Sequence, residues 1–158
     1  MNWTPLNFGE HTGETLPQVL LADPDWFFWA QDTGLFKQSP AYEREAGLAN
    51  AKATSIRTEP TWAKPLLAEY IFDAATGRCL DFDIVPPSQP RRDGAAQTMR
   101  SNVIDLSMPH LPTRHDRAGY ERFLRSLKSR FFGVATAEIS RERAEEFFND
   151  PKNFRNND

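Results

Sequence analysis

The stretch Ala68-Glu-Tyr-Ile-Phe-Asp-Ala-Ala-Thr-Gly-Arg-Cys-Leu-Asp-Phe-Asp-Ile-Val85 decides the fold that we expect for this chain. Apolar and polar side chains alternate in both of its halves, and a period of two is typical of a β-strand with one buried face. The central Ala75-Thr76-Gly77 has the composition of a three-residue hairpin loop, with glycine at the left-handed position. The stretch therefore predicts an antiparallel hairpin.

The loop length fixes the register of this hairpin, because each strand residue then has one partner across the ladder. The pairs that it predicts on the core face are Phe72 with Leu80, Tyr70 with Phe82, and Ala68 with Ile84. The other face carries Ile71 and four acids: Glu69, Asp73, Asp81 and Asp83. We therefore expect one face of the hairpin to be core and the other to be acidic.

The chain before the hairpin predicts a helical N-terminal third. Polar residues that cap helix starts, two of them directly followed by proline, mark three helices. The predicted helices are residues 16–21 after Thr15, residues 25–31 after Asp23-Pro24, and a third from Ser39-Pro40 to about residue 52.

Beyond the hairpin, residues 86–94 are rich in proline and predict an exposed, mobile loop. Residues 103–108 predict a third strand, and residues 116–130 predict a helix with one apolar stripe. Ser140 begins a last helix. The fold that we predict is α+β, with an N-terminal helical module, a three-stranded antiparallel sheet near residues 66–108, and two C-terminal helices packed on one face.

The composition sets limits on the class of protein. The chain has 158 residues, 39% of them hydrophobic, including 12 Phe and 4 Trp, which suits one folded domain and argues against disorder. Its single cysteine, Cys79, excludes an internal disulfide, and no His and Cys spacing matches a structural zinc site. No apolar run is long enough to cross a bilayer. We expect a cytoplasmic protein without a cofactor.

The segment Phe8-Gly9-x-His11-x-Gly13, followed by Leu16 and an Asp-Pro-x-Trp helix start, resembles the small domain at the C-terminus of exodeoxyribonuclease X. Domains of this family also occur in phage and mobile-element proteins. The resemblance covers residues 6–36. It implies a small module at residues 1–36 and an α+β domain at residues 37–158 that folds together with it. Lysines are usual in the glycine loop of that family, whereas this chain has Glu10 and Glu14 at the matching positions.

Later segments are similar to uncharacterised proteobacterial proteins that carry this module. They are residues 68–73, 104–106, 126–128, 132–133 and 145–150. This similarity implies one co-folded unit over most of the chain, and it implies no activity.

The net charge of −3 is unevenly distributed along the chain. Residues 1–90 carry 6 Lys and Arg against 12 Asp and Glu, whereas residues 91–130 carry 9 against 4, and all nine but Lys128 are arginine. Arginine binds phosphates and carboxylates in a bidentate way. We therefore predict an accessory binding protein that contacts nucleic acid or a nucleic-acid-processing partner, although the arginines could instead neutralise the acidic half. The candidate residues are Arg91, Arg92, Arg100, Arg117, Arg122 and Arg125.

A protein–protein adaptor or inhibitor is a second possibility. Trp26 and Trp29 are three residues apart on a predicted helix and would form an aromatic ridge. Such a ridge forms either a small core or a docking surface, and the docking surface predicts an exposed apolar patch. His11 in the glycine loop is a candidate ligand or base, or a hydrogen-bonded structural residue.

A metal-dependent nuclease is the third possibility, and we do not expect it. Asp81 and Asp83, with Asp73 across the ladder, are weak candidate ligands because hard cations need several carboxylate oxygens within reach. A two-metal nuclease would also need an Asp-x-Glu on an early strand, which the sequence lacks. The sequence therefore predicts no catalytic residues and no enzyme.

Overall fold

A computed structural model describes residues 1–59, 64–92, 94, 96–110, 117–134 and 138–155, and of Arg117 it describes the backbone alone. The helices are α1 (Leu16–Ala22), α2 (Pro24–Asp32), α3 (Pro40–Ala53), α4 (Arg117–Phe132) and α5 (Arg141–Asn149). The strands are β1 (Ile56–Arg57), β2 (Leu67–Asp73), β3 (Cys79–Val85), β4 (Ala96–Ser101) and β5 (Val103–Ile104). The predicted α+β class is confirmed.

The three N-terminal helices begin where the capping residues predict. Thr15 forms a capping box with Gln18 at the start of α1, and Asp23 and Ser39 precede α2 and α3. Each of these helices has proline in its first turn, where a missing N–H costs no helical hydrogen bond.

The hairpin forms as predicted, except beside its turn. Tyr70 pairs with Phe82, but Phe72 pairs with Cys79, so the predicted partner Leu80 is wrong. The Asp73 N–H donates to the Arg78 carbonyl, which leaves a loop of four residues instead of three. A bulge between the pairs of Ile71 and Phe72 absorbs the extra residue and restores the predicted register.

The third strand of the sheet differs from the prediction. The sheet order is β3-β2-β4, so the polar segment Ala96–Ser101 pairs with β2. Residues 103–108 do not join this sheet, because only Val103 and Ile104 are extended and they pair with β1. Arg100 thus lies in a strand.

One continuous buried cluster extends from Trp3 to Phe154. Helix α4 packs on the sheet, where the Phe123 ring lies 5.1 Å from the Phe82 ring centroid. Helix α5 packs mainly against α1, and its Phe148 ring contacts Trp3 edge to face. The predicted pair of C-terminal helices is therefore present, with α4 as the helix that covers the sheet.

Within the described residues, we find no helix with the length and apolar character needed to cross a membrane.

Candidate functional site

Arg100 lies inside the fold and is not part of an exposed basic surface. Its Nε atom lies 2.7 Å from Glu69 Oε2, and the two side chains are only 8% and 3% exposed. Its Nη2 atom donates a second hydrogen bond to the Gln89 carbonyl at 2.7 Å. This guanidinium therefore neutralises a buried acid, and little of it faces solvent.

Arg91 and Arg92 are exposed, and each has a partner near the sheet. The Arg91 guanidinium donates to the Thr98 carbonyl at 2.9 Å. Arg92 Nη2 lies 3.6 Å from Asp81 Oδ2. An exposed pair at this distance is weak, so Arg92 can exchange this partner for another anion at little cost.

Three arginines of α4, Arg122, Arg125 and Arg130, are arranged differently, because they share one face of this 16-residue helix. Arg122 donates to the Leu80 carbonyl at 3.0 Å. Arg125 and Arg130, with Ser126 and Ser129 between them, line an open groove of about 550 Å³ beside β3. The side chain of Arg117, a further candidate, lies outside the described residues.

The acids of the hairpin are used within the hairpin. Asp81 Oδ1 accepts from the Phe82 N–H at 2.8 Å, and Asp83 Oδ1 accepts from the Ile84 N–H at 2.7 Å. Strand β3 is an edge of the sheet, and these carboxylates bind its N–H groups. Asp73 accepts from two turn N–H groups, and these hydrogen bonds lower the pKa of its carboxyl. The four acids of the expected acidic face therefore have separate structural roles. Asp81 and Asp83 bind N–H groups at the edge of the sheet, Asp73 holds the turn, and Glu69 is buried.

Trp26 and Trp29 do not form an exposed ridge together. Trp26 is 8% exposed and packs against Phe8 and Phe36, whereas Trp29 is 43% exposed. Their ring centroids lie 6.4 Å apart. Trp26 therefore belongs to the core, and Trp29 alone faces solvent, at the rim of a cavity of about 450 Å³.

His11 is surrounded by carboxylates. Its Nδ1 atom lies 2.8 Å from Glu14 Oε2, and its Nε2 atom lies 3.1 Å from Asp23 Oδ2 and 3.7 Å from Glu10 Oε1. The imidazole is 13% exposed and meets the Trp26 ring edge to face at 5.0 Å between centroids. The candidate residue His11 is thus the centre of a cluster. The sequence did not predict the other members, which are Glu10, Glu14 and Asp23.

The glycine loop explains how Glu10 and Glu14 reach one imidazole. Gly9 has a φ of +73°, and a Cβ atom there would lie 3.0 Å from the Trp26 ring, so a larger residue would be strained in both backbone and packing. The Gly13 N–H donates to the Leu6 carbonyl at 2.8 Å and closes the loop. The sequence signal for this cluster was an acid one residue before His11, which is Glu10, and another three residues after it, which is Glu14.

Asp23 reaches the cluster from the start of α2, and Tyr120 on α4 fixes it. The Tyr120 hydroxyl donates to Asp23 Oδ1 at 2.8 Å and accepts from the Asp25 N–H at 3.1 Å. Burial and the Asp23 charge raise the pKa of Tyr120 well above its usual range. The hydroxyl therefore stays protonated and donates at every physiological pH.

His110 forms a second histidine–carboxylate contact on α2. Its Nδ1 atom lies 2.7 Å from Asp25 Oδ1, and its Nε2 atom lies 2.9 Å from Asp32 Oδ2. Burial by itself would lower the pKa of His110, but the hydrogen bonds and charges of the two carboxylates outweigh it and raise the pKa. The imidazolium form bridges the two ends of α2.

Comparisons of this chain with protein-family models, with curated proteins and with solved structures found no match.

Proposed function

We propose that this protein is an accessory binding protein that contacts the phosphate backbone of a nucleic acid through α4. The observation that carries the proposal is the groove in which Arg125 and Arg130 flank Ser126 and Ser129. Arginine and serine side chains are the usual donors to phosphate oxygens, and such contacts give affinity without sequence preference.

The spacing on α4 supports this proposal. Arg125, Ser126, Ser129 and Arg130 lie three, four, seven and eight residues after Arg122, which places all five on one helix face. The eight intervals from Arg122 to Arg130 correspond to about 12 Å along the helix axis. A stripe of this length can place more than one donor along the phosphates of a single strand.

The balance of charges in the groove also favours an anion. Among the described residues that line it, Asp83 is the acid, and one of its oxygens already accepts the Ile84 N–H. The described lining of the groove therefore has two arginines against one partly satisfied carboxylate. The resemblance of residues 6–36 to a module of a DNA-processing enzyme adds to the proposal, and the protein itself contributes binding and no catalysis.

Fluorescence anisotropy with labelled single-stranded and duplex DNA, at several salt concentrations, tests this function. We expect binding at low salt that weakens steeply as salt is added, because arginine contacts displace counterions. The variant R125Q/R130Q should bind much more weakly. R44Q is the matched control, since Arg44 is exposed on α3, away from the groove. Absence of binding at low salt, or equal loss in R44Q, would contradict the proposal.

A protein partner is the second candidate, and the exposure of Trp29 favours it. Trp29 lies at the rim of a cavity that Glu10 and Asp25 also line, so a basic segment with an apolar side chain would complement it. Proteins captured from a lysate in equal amounts by the wild type and by W29A would argue against this use of Trp29.

A further inference from the structure

We propose that His11, Glu10 and Asp23 bind a zinc ion. Their ligand atoms, His11 Nε2, Glu10 Oε1 and Asp23 Oδ2, all lie within 4.8 Å of one another. Two of the separations are 3.1 Å and 3.7 Å. Ligands at about 2.0–2.2 Å from a tetrahedral zinc ion lie about 3.3–3.6 Å apart, so small side-chain rotations bring these three atoms onto one ion.

Neighbouring residues orient two of the three ligands. Glu14 lies 2.8 Å from His11 Nδ1, so the Nδ1–H form donates to it and presents the Nε2 lone pair to Asp23 and Glu10. A carboxylate on the far nitrogen of a zinc-binding histidine is the usual arrangement in zinc sites, where it fixes the tautomer and raises the basicity of the ring. The Tyr120 hydroxyl donates to the other oxygen of Asp23 and so fixes the orientation of that carboxylate.

The charges of the cluster also call for a cation. Glu10, Glu14 and Asp23 converge on one imidazole, and within the described part of the chain none of them forms an ion pair with a lysine or arginine. Protonation of His11 would supply one positive charge against three negative ones. A divalent ion supplies two and leaves His11 neutral, as a ligand must be.

The site is formed by the fold and is open to solvent on one side. The loop that carries Glu10 and His11 is closed by hydrogen bonds between Leu6 and Glu14 and between Leu6 and Gly13. Glu10 and Asp23 also line the cavity of about 450 Å³ beside Trp26. An ion held by three protein ligands therefore has room for a water molecule or a partner side chain at the fourth position.

Isothermal titration calorimetry of the intact, chelator-treated chain with zinc chloride tests this site, together with native mass spectrometry for the stoichiometry. We expect one zinc ion per chain. H11Q should lose this binding, and D23N and E10Q should each weaken it by more than E14Q does, because each removes a ligand. E14Q removes only the orienting carboxylate and should weaken binding by about 10–100-fold.

H110Q is the matched control, because His110 also lies between two carboxylates but belongs to no group of three converging ligands among the described residues. It should bind zinc as the wild type does. Circular dichroism of each variant separates loss of the site from loss of the fold. Cobalt in place of zinc should give a visible d–d absorption band that H11Q lacks. A wild-type chain that binds no zinc, or a folded H11Q that binds it equally well, would overturn the proposal.

Discussion

The side chains of Glu69 and Arg100 face each other across neighbouring strands and meet at 2.7 Å inside the protein. Both are almost fully buried, although each is a charged residue in a chain with many exposed positions. A charge without its partner at such a depth is costly, so each residue makes the other tolerable in the sheet. This pair also removes one arginine from the basic surface that the sequence suggested.

Breaking this pair should destabilise the protein strongly. R100M leaves the Glu69 carboxylate buried without a counter-charge and should cost about 3–5 kcal/mol in the free energy of unfolding, measured with urea. The double variant E69L/R100M removes both charges and should recover most of that loss. A cost below about 1 kcal/mol for R100M would show that Glu69 finds another partner or is hydrated.

His110 should make the stability depend on pH. The fold raises the pKa of His110 above its unfolded value of about 6.5, so the folded state binds the proton more tightly. The resulting stabilisation is complete below about pH 6.5 and is lost as the pH rises through the folded pKa. We expect the melting temperature of the wild type to fall relative to that of H110Q between about pH 6 and pH 8. Parallel pH profiles of the two proteins would contradict this.

Gly9 should tolerate substitution less well than Gly13. Both have positive φ, which costs a non-glycine residue about 1–2 kcal/mol. A Cβ atom on Gly9 would also meet the Trp26 ring at 3.0 Å, whereas one on Gly13 would have no atom within 4 Å. Urea unfolding of G9A and G13A should therefore show a larger loss for G9A, and equal losses would mean that Trp26 moves away without cost.

Asp81 and Asp83 should limit self-association of the sheet edge. Their carboxylates accept the Phe82 and Ile84 N–H groups of β3, which would otherwise be open to pairing with another chain. We expect light scattering to show dimers or larger species for D81A/D83A. D81N/D83N removes the same charges but keeps an acceptor oxygen, so it should remain like the wild type. Equal association of the two variants would assign the effect to charge.

Local signals made the helices and most of the hairpin predictable. Proline and a capping residue mark a helix start without reference to the rest of the chain, as Asp23-Pro24 does for α2. The alternation around Tyr70 and Phe82 likewise gave the correct register. The cross-strand partner of Phe72 was predicted wrongly because the length of the turn depends on backbone hydrogen bonds of Asp73 and Gly77. The alternation of apolar and polar residues does not encode these bonds.

Strand β4 could not be predicted from an alternation of apolar and polar residues, because Arg100 occupies its inward position in place of an apolar residue. Its burial depends on Glu69, 31 residues earlier, and only the fold brings the two together. The cluster around His11 likewise could be predicted only in part. His11 and its neighbours Glu10 and Glu14 stand together in the sequence, whereas Asp23 and Tyr120 join them through the packing of α2 and α4.

The dependence of DNA affinity on salt tests the central claim, that α4 contacts phosphates, most directly. For the wild type, the logarithm of the association constant should fall linearly with the logarithm of the salt concentration. For R125Q/R130Q the slope should be shallower by about 1.4 with single-stranded DNA, or about 1.8 with duplex DNA, because each phosphate contact contributes about 0.7 or 0.9. Identical slopes for the two proteins would contradict the account.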